Sequence, residues 1–421
     1  MKKIAIIAAT FYGNRGAEGM LSTTIGKLRE AYGNNNVVFN IFSYYPQSDN
    51  RLVDDDYVRI YSSTPIYLVL VLLPGALLFR LLSFLRLTSL QRLLPQSVNA
   101  LEQSNVLICL AGVSFIEGRE KFLPFNIATI LPAMLLNVPV VKFSQAVGPF
   151  KSFINRISAQ LLLGRCKQIF SRGDKTHYYL QDLFGQKQIY QRANDIAFLF
   201  RPEFCVSLPA NNLLSKLSIL HTLQQDGKII IGVCPSIVIA KRAKKDGWDY
   251  QKFMLMVVQQ LAKRGFVIAI YPNATRGEDM DKTHNNDLPL IDTLCQMLTP
   301  YVQKGSVVVF SDSYNAAQIH QIINACNIQV VSRFHAMIAS LVCKIPVMVL
   351  GWSHKYMEVM ALFQQEDMVL DYKKSEIEDI IGCVEKLVLE TKKRSSQITN
   401  ALPVVQKSSN KQIQYILQLL N

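Results

Sequence analysis

Arginine, histidine and lysine stand at matching places in Ser332-Arg333-Phe334-His335 and in Gly351-Trp352-Ser353-His354-Lys355. Each segment follows a short apolar run: Ile328-Gln329-Val330-Val331 before the first, Pro346-Val347-Met348-Val349-Leu350 before the second. Between them, residues 336–343 read as a buried helix. The order is strand, cationic loop, helix, strand, cationic loop. In a parallel sheet two such loops emerge at one carboxyl edge, where open α/β folds bind ligands. Fixed cations there suit a phosphorylated or carboxylated substrate, and an imidazole suits proton transfer on it. The plain alternatives are a hydrogen-bonded structural role for His335 and a surface role for Lys355.

Other strand ends carry polar groups. Phe11-Tyr12-Gly13-Asn14-Arg15-Gly16-Ala17-Glu18-Gly19 follows the first apolar run and opens a helix. Its glycines let backbone N–H groups approach an anion at a helix N-terminus. It is not a G-x-G-x-x-G fingerprint. It reads either as a tight turn or as a loop that binds an acceptor through Asn14, Arg15 and Glu18. Gln145, in Ser144-Gln145-Ala146-Val147-Gly148-Pro149-Phe150, closes another strand and would line the same cleft. The small-residue turn at Ala111-Gly112-Val113-Ser114 could admit a sugar or phosphate. Arg172, in Ser171-Arg172-Gly173-Asp174, either forks onto an anion or pairs with Asp174.

These loops need a scaffold. Apolar strands are expected at 4–9, 37–43, 106–111, 138–144 and 168–171. Helices are expected up to about residue 32, at 125–136 and at 153–163. A second series follows: strands at 228–234, 266–271 and 306–310, helices at 250–263 and 288–302, and a helix capped by Asp312-Ser313. Residues 375–393 and 410–420 read as a helical tail, and 201–228 as a less regular crossing. This alternation predicts an α/β chain with parallel sheets covered on both faces. A length of 421 residues fits two such domains. The expectation is two Rossmann-like domains facing a cleft. Residues 1–200 form the acceptor domain, with an apolar insertion at 65–92, and 201–421 the donor domain with its tail.

The net charge of +14 admits nucleic acid, an anionic membrane surface or anionic substrates as partners. The basic residues are scattered, with short clusters at 241–245 and 392–394, and no compact nucleic-acid signature accompanies them. They read as a solvated face, and no nucleic acid is expected. No two of the 8 cysteines have metal-ligand spacing, so they read as buried hydrophobes in a reducing compartment. His177, His221, His284 and His320 form no metal pattern. Glu278-Asp279 and Asp281 read as an exposed loop. The apolar run after Met1-Lys2-Lys3 is too short for a signal peptide and reads as a buried strand, which implies a cytoplasmic protein. Residues 65–85 are nearly all apolar. Pro74-Gly75 breaks this run and Arg80 interrupts it, which favours a peripheral membrane contact or a helical hairpin packed on the protein over a bilayer span.

The two halves resemble the GT-B glycosyltransferase architecture. Taken together, the motifs resemble the polysaccharide pyruvyl transferase family. The resemblance rests on Gly13-Asn14-Arg15-Gly16-Ala17-Glu18 after the first strand, on Arg172 with Asp174, and on Arg333, His335, Pro346 and Lys355. Two departures are visible: Ala111-Gly112 where many relatives carry two glycines, and Asn273 where many carry a histidine. The resemblance implies transfer of the pyruvyl group of phosphoenolpyruvate onto a sugar of a cell-surface polysaccharide or its lipid-linked precursor, as a ketal; the apolar insertion would place the protein at the inner face of the cell membrane, where a lipid-linked glycan waits. It further implies that Arg172, Arg333 and Lys355 hold the phosphate and carboxylate of the pyruvyl donor, and that His335 is the acid/base. Neither a metal nor a cofactor beyond phosphoenolpyruvate is implied. A nucleotide-sugar glycosyltransferase and a non-catalytic, membrane-docked glycan-binding protein are the competing readings. The leading one requires Arg172, Arg333, His335 and Lys355 to crowd into one crevice.

Overall fold

Apolar, β-branched runs build this chain's strands, and helices cover their faces. The computed structural model describes residues 1–206, 212–276, 285–351 and 353–421. Glu278-Asp279, Asp281, His284 and Trp352 lie outside the described residues. The chain divides into two units: residues 1–12, 20–199 and 406–421 form the first, and residues 13–19 and 200–405 the second. The main break falls between residues 199 and 200. Two short segments, Gly13–Gly19 and Gln406–Asn421, fall in the unit opposite to the one expected.

The first unit holds β1 (Lys2–Ile7), β2 (Val37–Ser43), β3 (Val58–Ser62), β4 (Val106–Cys109), β5 (Val140–Gln145), β6 (Gln168–Ser171) and β7 (Tyr190–Arg192). Their order is β3-β2-β1-β4-β5-β6-β7, and every pairing is parallel. The second unit holds β8 (Ile230–Cys234), β9 (Val267–Ile270), β10 (Val307–Val309), β11 (Ile328–Val331), β12 (Val347–Gly351) and β13 (Val369–Asp371). Their order is β10-β9-β8-β11-β12-β13, again all parallel. Both sheets are doubly wound, as expected. Strand order reverses between β1 and β4 and between β8 and β11, the places where such sheets receive ligands.

Several local expectations are corrected. The helical run expected at 125–136 is two helices, Leu123–Ala128 and Leu131–Leu135, and that at 288–302 is Leu288–Met297 and Thr299–Gln303. In each pair a proline (Pro132, Pro300) sits in the first turn of the second helix, where its missing N–H costs nothing. The helix after β10 is Ala316–Asn324, and its cap is Asn315, not Asp312-Ser313. The Asn315 side chain accepts from the Gln318 N–H, and the Gln318 side chain reaches back. The crossing at 201–228 contains a helix, Leu213–Gln225. Pro74-Gly75 does not break the apolar run. Helix continues from Pro65 to Phe84 through a π-turn at Leu68–Leu72, in which the Leu73 N–H reaches the Leu68 carbonyl. That wider turn precedes the proline, which brings no N–H of its own.

The eight cysteines are free thiols. The 241–245 cluster ends helix Ile237–Lys245, with Lys241, Arg242, Lys244 and Lys245 exposed. Arg394 departs from that pattern: it is buried and bonded to Asp367 and Glu390.

His320, on Ala316–Asn324, packs its ring 4.5 Å from that of Phe200 and lies 3.3 Å from Cys343 Sγ. Burial pushes its pKa from 6.5 down to about 4. The unfolded chain therefore binds a proton that the folded one refuses between those values, so this group's contribution is complete above pH 6.5 and is lost as pH falls towards 4. Urea titrations of the wild type and His320→Gln at pH 7 and pH 4.5 should show the wild type losing up to about 3 kcal/mol more than the variant. Equal losses would remove His320 as the cause.

Candidate functional site

The second unit gathers its polar loops at the carboxyl edge of its sheet. The centre of that edge is Asp287, fully buried just before helix Leu288–Met297. Its carboxylate accepts from the backbone N–H of Ile237 after β8 (3.0 Å), and of Asn273 (3.2 Å) and Ala274 (2.9 Å) after β9. Arg333, after β11, donates to it through Nε and Nη2. Arg333 Nη1 donates to Asn285 Oδ1 at 2.7 Å. Burial alone would lower the Arg333 pKa, but the adjacent carboxylate outweighs it and raises the pKa. The guanidinium expected to grip an anion is thus held first by Asp287.

His335 is the second residue of the next helix, Phe334–Val342. Its imidazole lies against Gly16: a Cβ there would stand 2.1 Å from His335 Nδ1 and 2.7 Å from His335 Cβ. Only a glycine leaves that space. Gly13, at φ +84°, does the same for Arg276, whose Nη1 would be 2.1 Å from a Cβ. Lys355, in the first turn of His354–Ala361, places Nζ 4.7 Å from the Phe334 ring centroid and 5.3 Å from that of Tyr356. The Phe334 ring also meets the His335 ring edge-on, with centroids 5.4 Å apart. His335 and Lys355 thereby share the Phe334 ring, while the Arg333 guanidinium is taken up by Asp287 and Asn285.

The 13–19 segment belongs to the same edge. Asn14 accepts from the Gly16 N–H at 3.0 Å and bridges to Ala274, while the Arg15 N–H donates to the Asn273 carbonyl. Arg15 and Glu18, expected to face an acceptor, are buried and bound to each other at 2.6 Å. Glu18 also accepts from the Ala316 N–H at 3.1 Å, which places a carboxylate at a helix N-terminus. Burial raises its pKa despite Arg15. Arg15 Nη2 donates to Thr275 Oγ1 at 3.3 Å.

Arg172 and Gln145 lie in the first unit, at its own carboxyl edge. Arg172 Nη1 bonds Asp195 at 2.7 Å and Nη2 the Gly112 carbonyl at 3.0 Å, while Asp174 pairs with Arg192. Ser114 donates to Gln145 Oε1, and the Arg172 N–H to the Gln145 carbonyl. On the same edge, buried Asp49 accepts from Thr10 Oγ1 at 2.9 Å and the Tyr12 N–H at 2.8 Å. Sequence reasoning missed Arg276, although Asn273-Ala274-Thr275-Arg276 after β9 repeats the strand-then-cation pattern. It also missed Asp287, Asp195 and Asp49, which no local pattern marks.

Asp287→Asn keeps the shape and removes the charge that Arg333 and three N–H groups share. Stability should fall by about 3–5 kcal/mol, the cost of stranding a buried partner, and the double change with Arg333→Met should recover part of it. Urea denaturation of the three variants checks this; a loss below about 1 kcal/mol would remove Asp287 from the centre of the edge.

The sequence pattern of the polysaccharide pyruvyl transferase family matches residues 14–354. The amylovoran biosynthesis protein AmsJ of Erwinia amylovora is 22% identical over 411 residues, 95% of each chain. In fold, the chain is similar to Anabaena HepE, solved with UDP and glucose (TM-score 0.53, 12% identity, 100% of this chain and 99% of that one). It is similar too to a putative UDP-N-acetylglucosamine 2-epimerase from Listeria monocytogenes (TM-score 0.63, 10% identity, 100% and 97%). Two doubly wound parallel sheets are common ground with those sugar-nucleotide proteins. The strand-end motifs, the matched span and the relative aligned over nearly its whole length lead to one assignment: the chain belongs to the polysaccharide pyruvyl transferase family.

Proposed function

We propose that this protein is a phosphoenolpyruvate-dependent pyruvyl transferase of polysaccharide assembly, acting on a sugar of the polysaccharide or of its lipid-linked precursor. The observation that carries the reading is the His335 imidazole lying in the space left by Gly16, with Lys355 and His335 both against the Phe334 ring. Family membership and the likeness to an amylovoran biosynthesis protein support the substrate class.

Phosphoenolpyruvate carries a phosphate and a carboxylate on one enol carbon. Protonating its methylene makes that carbon electrophilic, and a sugar hydroxyl attacks it. Phosphate leaves with its bridging oxygen, and a second hydroxyl closes the ketal. The methylene gains one proton and the two hydroxyls release two, so one is left for the departing phosphate. His335 moves these protons. Lys355 and Arg276 attract the two anionic groups, because their cations stand at the same edge. Arg333, clamped by Asp287, fixes the loop from which His335 starts. Positioning of this kind turns a bimolecular encounter into an aligned one.

The test incubates purified protein with phosphoenolpyruvate and lipid-linked sugars, following phosphate release and the pyruvyl mass gain on the acceptor. His335→Ala should lower kcat by about 10² to 10⁴, the usual worth of a positioned acid/base, without changing the melting temperature. Gly16→Ala should lower it too, by pushing the imidazole aside. Full turnover by His335→Ala would remove that residue from the reaction. Turnover of nucleotide sugars with none of phosphoenolpyruvate would replace this reading with a glycosyltransferase.

A further inference from the structure

Helix Pro65–Phe84 has apolar residues on both of its sides. Its mean hydropathy is 2.2, yet only 28% of it is buried. One face is explained by the core: Leu68, Leu72 and Ala76 are at most 1% exposed and cluster with Val98, Leu101 and Cys109. Gly75 lets this face approach closely, since a Cβ there would stand 2.6 Å from Val98 Cγ2. The opposite face should be polar if water were its solvent. It carries Ile66, Leu70, Leu77, Leu81 and Phe84, which are 73, 68, 52, 51 and 83% exposed. Their spacing keeps them on one stripe. Leu85, Leu87, Leu90 and Leu93 extend the exposed apolar surface.

The charges around that surface have one sign. Arg80, Arg86 and Arg92 are exposed, and no aspartate or glutamate occurs between Asp56 and Glu102. Helix Phe153–Leu163 adds Phe153, Ile154 and Leu161, all more than 60% exposed, and packs like the first helix against Leu123–Ala128.

We propose that residues 66–93 dock the protein on an anionic phospholipid bilayer, with the helix lying along the surface and its exposed leucines entering the acyl boundary. Three observations choose this occupant. Leu68, Leu72 and Ala76 are committed to the core, so a helix crossing the bilayer would have to strip them from it. Arg80 stands exposed within the apolar stretch, at a depth suited to a headgroup and not to a bilayer centre. In a symmetric pairing with a second copy the same arginines would face one another without an acid in the segment to relieve them, whereas anionic headgroups complement them. The proposal is independent of the chemistry at His335.

Vesicle flotation tests it, with phosphatidylcholine alone and with phosphatidylcholine plus phosphatidylglycerol. The wild type should float with the anionic vesicles at least tenfold more than with the neutral ones, and an alkaline wash should release it. Leu77→Asp/Leu81→Asp should stay at the bottom with an unchanged circular dichroism spectrum, and Phe84→Ser repeats the test should that pair misfold. Arg80→Gln/Arg86→Gln/Arg92→Gln should lose the preference for anionic lipid. Four results would each overturn the proposal: a wild type that never floats, variants that float like it, protein that resists the alkaline wash, or a wild-type dimer that the aspartates split.

Discussion

A single buried carboxylate organises the second unit's site. Asp287 has no contact with water, so its charge must be met inside the protein. Three backbone N–H groups and one guanidinium meet it, and they come from the ends of three different strands. An interaction of this kind is worth more as geometry than as stability: it forbids the loops after β8, β9 and β11 from moving independently. Functional side chains need that support, because a base displaced by an ångström loses most of its effect.

Glycines complete the arrangement from the other direction. Gly13 and Gly16 bring the backbone of the 13–19 segment against Arg276 and His335, closer than any other residue would allow. The polar side chains of the same segment are engaged within the protein. Arg15 and Glu18 bind each other, and Glu18 supplies the negative end that the helix starting at Ala316 favours. One short segment therefore does two things: its backbone shapes the space beside the imidazole, and its carboxylate meets the N-terminus of the helix starting at Ala316.

The legible part of this molecule was written in local patterns. Apolar runs gave the central strands of both sheets, and the cations just after β11 and β12 stand at one edge of the second. The edge strands β3, β7 and β13 escaped, because they are short and half exposed and so lack the continuous apolar run of a buried parallel strand. Asp287 escaped for a different reason: its partners lie far away in sequence, and nothing beside it announces them. Arg172 shows the same limit, since its carboxylate is Asp195 and not the neighbouring Asp174. Local periodicity carries the scaffold, while pairings across long loops decide which charges remain for chemistry.

Residues that violate the ordinary rules of burial then acquire meaning. A charged group inside and a leucine outside each cost stability, and a chain keeps them only where something offsets the cost. Inside the second unit, Asp287 and Glu18 are offset by hydrogen bonds visible in the fold. On the first unit, Ile66, Leu70, Leu77, Leu81 and Phe84 have no such compensation from the protein itself. The anionic bilayer proposed above would offset that cost, with its acyl boundary meeting the leucines and its headgroups meeting the arginines beside them.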